Sequence, residues 1–590
     1  MGVLDEKIEK ELRGISDSLY EKVAEFASIM EPISVVLIKG TKEEYNKLVS
    51  ELLGSHELIK LNEKEYPNSY LYRSDRNDVA RSEESTYICT KSREEVGPTN
   101  NWADEDEMES RLKRLLKGIM KGKTMYILPY LLGPAGSQFA SCGVELTDSK
   151  YVAISQMIIA NVGDEAIECI KLGDFVFGIQ ATGNLDPANK YIAHFPNKRL
   201  IITVNSAYGG NALLSKKCHA LRIESYRARG KEMLIEHMMA IEVTDPEGRS
   251  YGITGAFPSA SGKTNLAMIS PPPDYKGWRV KLLSDDISWF RIIGGELRAT
   301  NPEYGFFGVV PGTNEHTNSN AMKTIKSNTI FTNVALDPKD NTPWWEGLSE
   351  KMPSGILDWQ GNANFNGPAA HPNSRFTTPI SQYPNLSSSY GSPTGLKIHA
   401  MLFGGRRISL VPLVYEAYSL EHGVLIGAML RAETTAAVAG KVGVVRNDPM
   451  AMRPFCGYNM AEYFDHFYKV LSKLERKPKI FNVNWFMKDD SGRFLWPGFS
   501  DNMRVIRWIT ERIDGRAEAI ESPIGLLPSK ESFDRGGVSE ADMEKLLYVD
   551  KKGWIKELDE VKPFFESFGE RFPRWLWNEY YKLRERIESW

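Results

Sequence analysis

The sequence predicts an α/β protein built of mixed α+β lobes, and three observations predict it. Its 590 residues can bury a large core and, at roughly 150 residues per domain, suggest about four domain-sized units. β-prone runs at residues 125–128, 200–204, 238–243, 252–257, 280–283 and 410–414 alternate with helical or Gly/Pro-rich segments. One of those runs enters a small-residue loop that opens onto a helix, as a phosphate-binding α/β unit requires.

The other elements follow from spacing. Apolar residues at helical intervals among Glu and Lys predict a surface helix over residues 5–30, and a second is expected over 104–121. Residues 73–81 are dense in charge and lead into a short β-rich run. Residues 362–394 lose all periodicity, which suits either a solvated linker or a functional loop carrying HPNSRF. The last forty residues read as amphipathic helices whose aromatics pack back on the body.

Composition excludes several classes. Hydrophobic residues at 42% and charged residues at 25% match globular usage, which argues against disorder and against a coiled-coil rod. The 73 basic and 77 acidic residues leave a net charge of −4, so no broad nucleic-acid surface is expected, although a small anion in a local basic pocket is compatible. Five scattered cysteines without a CxxC pair suggest reduced thiols and a cytoplasmic setting. The acidic start does not resemble a targeting signal, and the apolar run at 126–132 is short and interrupted by Pro129, so no membrane association is expected.

The strongest local signal is GITGAFPSASGKTNLAMI, residues 252–269. Backbone N–H groups of the loop and of the following helix start can cradle phosphate oxygens, with Lys263 reaching the outer phosphates and Thr264 a bound Mg²⁺. Phe257 stands where the usual P-loop has its first Gly, and Pro271 to Pro273 allow only a short helix. A simple Gly-Lys-Thr turn would read the same locally. One strand later, Ser284-Asp285-Asp286 could deliver a carboxylate toward a metal and phosphates, or form a solvated turn. Gly209-Gly210 followed by Lys216-Lys217, His237 ahead of an apolar strand, FGGRR at 403–407 and Arg375 add flexible backbone, an imidazole and cations. Each has a bland reading alone; phosphoryl transfer needs such positive charge together.

Taken together, FPSASGKTNLAM, SDDISW, YGGNALLSKKC, AHPNSRF, FGGRR, DPMAMRPFCGYN and NWFMKDDSGRFLWPGF closely resemble the GTP-dependent phosphoenolpyruvate carboxykinases, over residues 73 to about 514. The resemblance implies a two-lobed fold: residues 1–232 as a substrate-contributing lobe, and 233–590 as a P-loop nucleotide lobe with an inserted substrate-binding region at about 298–396 and a lid at about 431–443. The active site is then expected in a cleft between the lobes. It implies conversion of oxaloacetate and GTP to phosphoenolpyruvate, GDP and CO₂, on a protein-bound Mn²⁺ and a Mg²⁺ or Mn²⁺ carried with the nucleotide. A monomer without nucleic-acid or membrane partners is also implied.

Matched residue by residue, the resemblance places Lys217, His237 and Asp286 on the protein-bound metal, Lys217 as a neutral amine, and Thr264 on the nucleotide metal. Arg81 and Arg375 would hold substrate carboxylates, beside Tyr208, Gly209, Gly210, Ser259 and Asn373. Ala260, Ser261, Gly262, Lys263, Thr264, Asn265 and Arg406 would surround the nucleotide phosphates, with Lys263, Arg406 and Ser261 at the transferred group. Phe486, Phe494, Phe499 and Asn502 would enclose guanine. In one departure, the family commonly has a reactive Cys where this chain has Ser261. An ATP-using carboxykinase, or a P-loop small-molecule kinase without decarboxylation, is the alternative.

Overall fold

The fold is that of a computed structural model and is described for residues 4–434 and 443–590. The chain forms two compact units, one of residues up to 96 with 100–227 and 302–384, the other of 97–99, 228–301 and 385–590. Both mix helices with sheets, as the sequence predicts.

The first unit is organised on a nine-stranded sheet in the order Ser34–Leu37, Thr124–Leu132, Ser141–Thr147, Phe175–Ala181, Leu200–Val204, Tyr191–Phe195, Thr86–Thr90 and Asn101–Asp104, with Asn161–Val162 paired beside the second of these. Thr124–Leu132 and Ser141–Thr147 are buried along almost their whole length, which is why the first reads as a nearly continuous apolar run rather than as alternation. Pro129 sits inside the first of them and still offers its carbonyl to Gly163 N at 3.3 Å. A second, five-stranded sheet runs Gly305–Val309, Arg375–Pro379, Ile330–Thr332, Tyr70–Tyr72, Leu58–Lys60. The parallel pairing of Ile330–Thr332 with Tyr70–Tyr72 ties the segment 302–384 to this unit. The aperiodic stretch at 362–394 therefore contains an interior strand, Arg375–Pro379, followed by a 3-10 turn at Ile380–Gln382, and the rest of it is irregular.

Two sequence expectations need correction. Residues 5–30 form two helices, Glu6–Ile15 and Asp17–Met30, because Ser16 is extended (φ −167°, ψ 133°) and ends one as it begins the other. The strand expected at 410–414 is instead Val414–Glu416; Leu410 has φ 71°, a left-handed conformation that a pleated strand does not contain. The helix at 104–121 is present as Glu105–Leu116, with Asp104 capping the N–H groups of Asp106 and Glu107.

In the second unit an eleven-stranded sheet includes Ser250–Ala256, Leu396–Gly404 and Lys479–Val483, mutually parallel in that order. Met238–Thr244 lies antiparallel between Ser250–Ala256 and Arg279–Ser284. Its register, Met238 opposite Ala256 and Ala240 opposite Ser284, brings residue 237 to the sheet edge where the other strands end. That edge receives the loops after Ala256, Ser284, Gly404 and Val483, where ligands commonly meet open α/β sheets. The helices Lys551–Glu566 and Arg574–Ser589 bury Trp554, Leu558, Val561, Phe565, Leu576, Tyr580, Leu583 and Ile587, as their aromatic stripe predicts. Among the described residues, no helix is long and apolar enough to cross a membrane.

Candidate active site

Phe257, the departure from the usual P-loop, is explained by packing. Its ring is buried against backbone where two strands carry glycine: a Cβ on Gly255 would lie 2.5 Å from Phe257 Cε2, and one on Gly404 2.2 Å from Cε1. The loop that follows turns through two left-handed residues, Ala260 (φ 59°) and Gly262 (φ 91°). The short helix Lys263–Ala267 then starts. Ser259, Ala260, Thr264 and Asn265 are exposed, while Ser261 is buried and its Oγ accepts from Arg406 N at 3.2 Å. The P-loop and FGGRR segments are thus joined through the position at which the family commonly carries Cys.

Three polar groups converge at this edge. Lys263 Nζ lies 2.6 Å from Asp286 Oδ1 and 3.3 Å from its backbone carbonyl, and it also contacts His237 Nε2. His237 Nε2 is 3.0 Å from the same carboxylate oxygen. On its far side, Nδ1 donates to Ala451 O at 3.0 Å. The carbonyl can only accept, so Nδ1 carries a proton, and Nε2 faces the Asp286 carboxylate and the Lys263 ammonium. The Lys263 ammonium adds positive charge beside the Asp286 carboxylate.

The sequence reading gave no role to residues 448–459, yet they hold His237. Met450 and Ala451 both have positive φ (53° and 55°), aiming the Ala451 carbonyl, while His237 N contacts Met452 Sδ at 3.1 Å and Phe455 packs on the imidazole at 4.5 Å. Strain in non-glycine residues is tolerated where surrounding structure fixes it.

Arg406 lies over the Phe486 ring at 4.6 Å, and Phe486 meets Phe494 edge-on at 6.3 Å. Phe494 and Phe499 are 44% and 50% exposed, too open for three aromatics of a core. Asn502 is buried and its Oδ1 accepts from Trp496 Nε1 at 2.8 Å, which orients the amide. Asn484 was missed by sequence reading. Its amide donates to Arg407 O (2.9 Å) and Val411 O (2.8 Å), and its Oδ1 accepts from Phe486 N (3.2 Å), so it couples the arginine loop to the aromatic cluster.

In the first unit, Arg375 Nε donates to Tyr208 Oη at 3.2 Å and its Nη2 to Asn373 Oδ1 at 2.7 Å; Asn373 Nδ2 donates to Tyr208 Oη at 2.8 Å. Gly209 and Gly210 are needed for space: a Cβ would come within 2.7 Å of Phe307 and 2.6 Å of Tyr208. Arg81 pairs with Glu83 at 3.1 Å. Asp78, also missed, is buried and accepts from Ala207 N (2.7 Å), Tyr208 N (2.8 Å), Ser206 Oγ (2.7 Å) and Lys190 Nζ (2.9 Å). It fastens the Arg81 segment to the Tyr208 loop. Lys217 is buried in the π-helix Ser215–Ile223, a geometry frequent at functional sites. Lys216, its neighbour, pairs with buried Glu303 at 2.6 Å. Of the expected lid, residues 435–442 lie outside the described residues.

The thiols permit a prediction. Ser261 offers no thiolate, and burial pushes the Cys218 thiol up to about 11. Cys169 alone among the five is partly exposed, and a hydrogen bond from the Cys142 thiol lowers it. Iodoacetamide is therefore expected to alkylate Cys169 and leave activity within about twofold of the untreated protein, since the thiolate is the reacting species. Peptide mass mapping beside an activity assay checks this; rapid stoichiometric inactivation prevented by GDP contradicts it.

A glycine-containing phosphate loop at the ends of parallel strands, with a lysine, carboxylate and imidazole at one edge and an arginine loop beside it, defines a P-loop protein built for phosphoryl transfer. Two family models match the chain: the phosphoenolpyruvate carboxykinase N-terminal domain over residues 21–229 and the phosphoenolpyruvate carboxykinase C-terminal P-loop domain over 233–586. The chain is 49% identical over 584 residues to the phosphoenolpyruvate carboxykinase (GTP) of Thermoplasma volcanium, covering 97% of this chain and 98% of that protein. Proteins of the same name from Chlamydia felis and from an Arthrobacter species are each 46% identical, covering 97% and 96% of this chain and 98% and 96% of theirs. The chain belongs to the GTP-dependent phosphoenolpyruvate carboxykinase family.

Proposed function

We infer that the protein catalyses the reversible conversion of oxaloacetate and GTP to phosphoenolpyruvate, GDP and CO₂, and is thus a carboxy-lyase. The observation that carries this reading is the meeting of Lys263, Asp286 and His237 at the edge that also receives the Arg406 loop.

Arg81 and Arg375 hold the carboxylates of oxaloacetate or phosphoenolpyruvate, and the Tyr208 and Asn373 contacts fix the plane of the Arg375 guanidinium for bidentate recognition. Gly209 and Gly210 line the same substrate. Loss of CO₂ leaves the electron pair of the broken C–C bond on an enolate. Its oxygen attacks the γ-phosphorus of GTP in line, and the bond to the GDP oxygen breaks. Lys263 and Arg406 spread the negative charge of the transferred group, while the backbone from Ala260 to Asn265, with Ser261 beneath, cradles the phosphates. Phe486, Phe494 and Phe499 stack on guanine, and the Asn502 amide reads its edge.

A divalent cation fits the residues present. An imidazole nitrogen and a carboxylate oxygen suit Mn²⁺. The resemblance adds Lys217, which would have to bind as a neutral amine, to His237 and Asp286. Thr264 serves the cation that accompanies the nucleotide. When bound, such a cation stabilises negative charge on the enolate oxygen.

A mixed-nucleotide assay tests the base assignment. GTP is expected to exceed ATP in kcat/KM by at least about tenfold, because a site that hydrogen-bonds one base edge leaves groups unpaired with the other. Equal turnover of the two nucleotides rejects the guanine pocket.

A further inference from the structure

The helix Lys551–Glu566 reads from sequence as packing alone, yet one charged side chain shares its buried face. Glu557 is 6% exposed and grips Arg407 with both carboxylate oxygens, at 2.5 and 2.9 Å. Its Oε2 also lies 3.0 Å from Arg431 Nη1, and both arginine side chains are less than one-tenth exposed. Packing does not require such a group: apolar residues of similar volume in place of a buried ionic cluster are often neutral or stabilising. The cluster therefore calls for another reason.

That reason lies in the backbone it encloses. Gly405 is pressed against the Arg431 carbonyl, where a Cβ would come within 2.4 Å. Glu433 N donates to Arg406 O at 2.9 Å, and Ile408 N donates to Glu433 Oε1 at 2.9 Å. The FGGRR loop and the strand Arg431–Glu433 are thus laced together around Arg406, and Glu557 binds one arginine from each. We infer that Glu557 is a positioning residue for phosphoryl transfer: by holding Arg407 and Arg431 it fixes the Arg406 backbone, so that the Arg406 guanidinium meets the transferred phosphoryl group. Glu557 acts through these arginines and not on substrate. The inference rests on the reading that Arg406 serves the γ-phosphate.

Mere loss of packing weakens GDP and GTP alike, whereas a displaced Arg406 weakens GTP selectively. The test measures Kd for GDP and for a non-hydrolysable GTP analogue, with kcat and KM for oxaloacetate, in full-length Glu557→Gln, Glu557→Asp and Arg406→Ala. Glu557→Gln keeps volume and one acceptor; Glu557→Asp keeps the charge but is one methylene too short to span both arginines, and it carries the test if the Gln variant does not fold. Both Glu557 variants are expected to raise the GTP-analogue to GDP ratio of Kd by about tenfold and to lower kcat by about tenfold, with KM for oxaloacetate within about twofold, since small misplacements of a positioning group cost rate. Arg406→Ala should shift the ratio at least as far. If Arg406→Ala leaves the ratio unchanged, the Arg406 reading fails and the inference with it. If Arg406→Ala shifts the ratio while both Glu557 variants retain it, or lose the two nucleotides equally, Glu557 has no positioning role.

Discussion

Lys263→Ala lowers GTP-dependent formation of phosphoenolpyruvate by about 10²–10³-fold, the range for removing one preorganised group that stabilises developing charge. The same substitution leaves Mn²⁺ binding in the nucleotide-free protein unweakened or tighter. Both expectations follow from one geometry. The Lys263 ammonium contacts both Asp286 Oδ1, at 2.6 Å, and His237 Nε2, which themselves lie 3.0 Å apart. Those two atoms are the donors proposed for the metal, so the ammonium would compete with a divalent cation there and, displaced, would be free to reach phosphates. Titration of Mn²⁺ by electron paramagnetic resonance, beside the coupled activity assay, separates the two effects. Parallel loss of metal binding and activity would place Lys263 among the metal's supports instead.

His237→Ala weakens Mn²⁺ binding by more than about 100-fold, because loss of an outer partner alone already costs about 10–100-fold and here a direct donor is removed. Activity falls with it. Asp286→Asn acts in the same direction, since the amide keeps the shape and loses the charge. A softer consequence distinguishes this site from a buried structural histidine. The ring is held through Nδ1 by the Ala451 carbonyl and packed by the tilted Phe455 ring, so His237→Gln, which can still offer an acceptor, should recover part of the metal affinity. Isothermal titration with Mn²⁺ checks the order wild type, Gln, Ala; identical affinities in all three would remove His237 from the metal.

The parts of this site that sequence reveals are those whose chemistry is local. A P-loop is a backbone conformation, and the small residues from Ser259 to Gly262 record it directly; the strand ending at Ser284 announces Asp286 in the same way. The parts it conceals act through space. Asp78 reaches the Tyr208 loop across more than a hundred residues, and Asn484 reaches Arg407 across 77. The Ala451 carbonyl carries no side-chain signal at all. Glu557 sits on an amphipathic face that looks complete without it. The fold shows the same division: Leu200–Val204 appears where its β-branched run puts it, whereas the extended Ser16 and the left-handed Leu410 are backbone states that residue type scarcely signals.

The most direct test of the whole assignment is a coupled assay of phosphoenolpyruvate formation from oxaloacetate and GTP with Mn²⁺, run on the wild-type chain, Lys217→Ala and His237→Ala. The account predicts nucleotide-dependent product from the wild type and background rates from both variants. Wild-type rates that survived in both variants would contradict it.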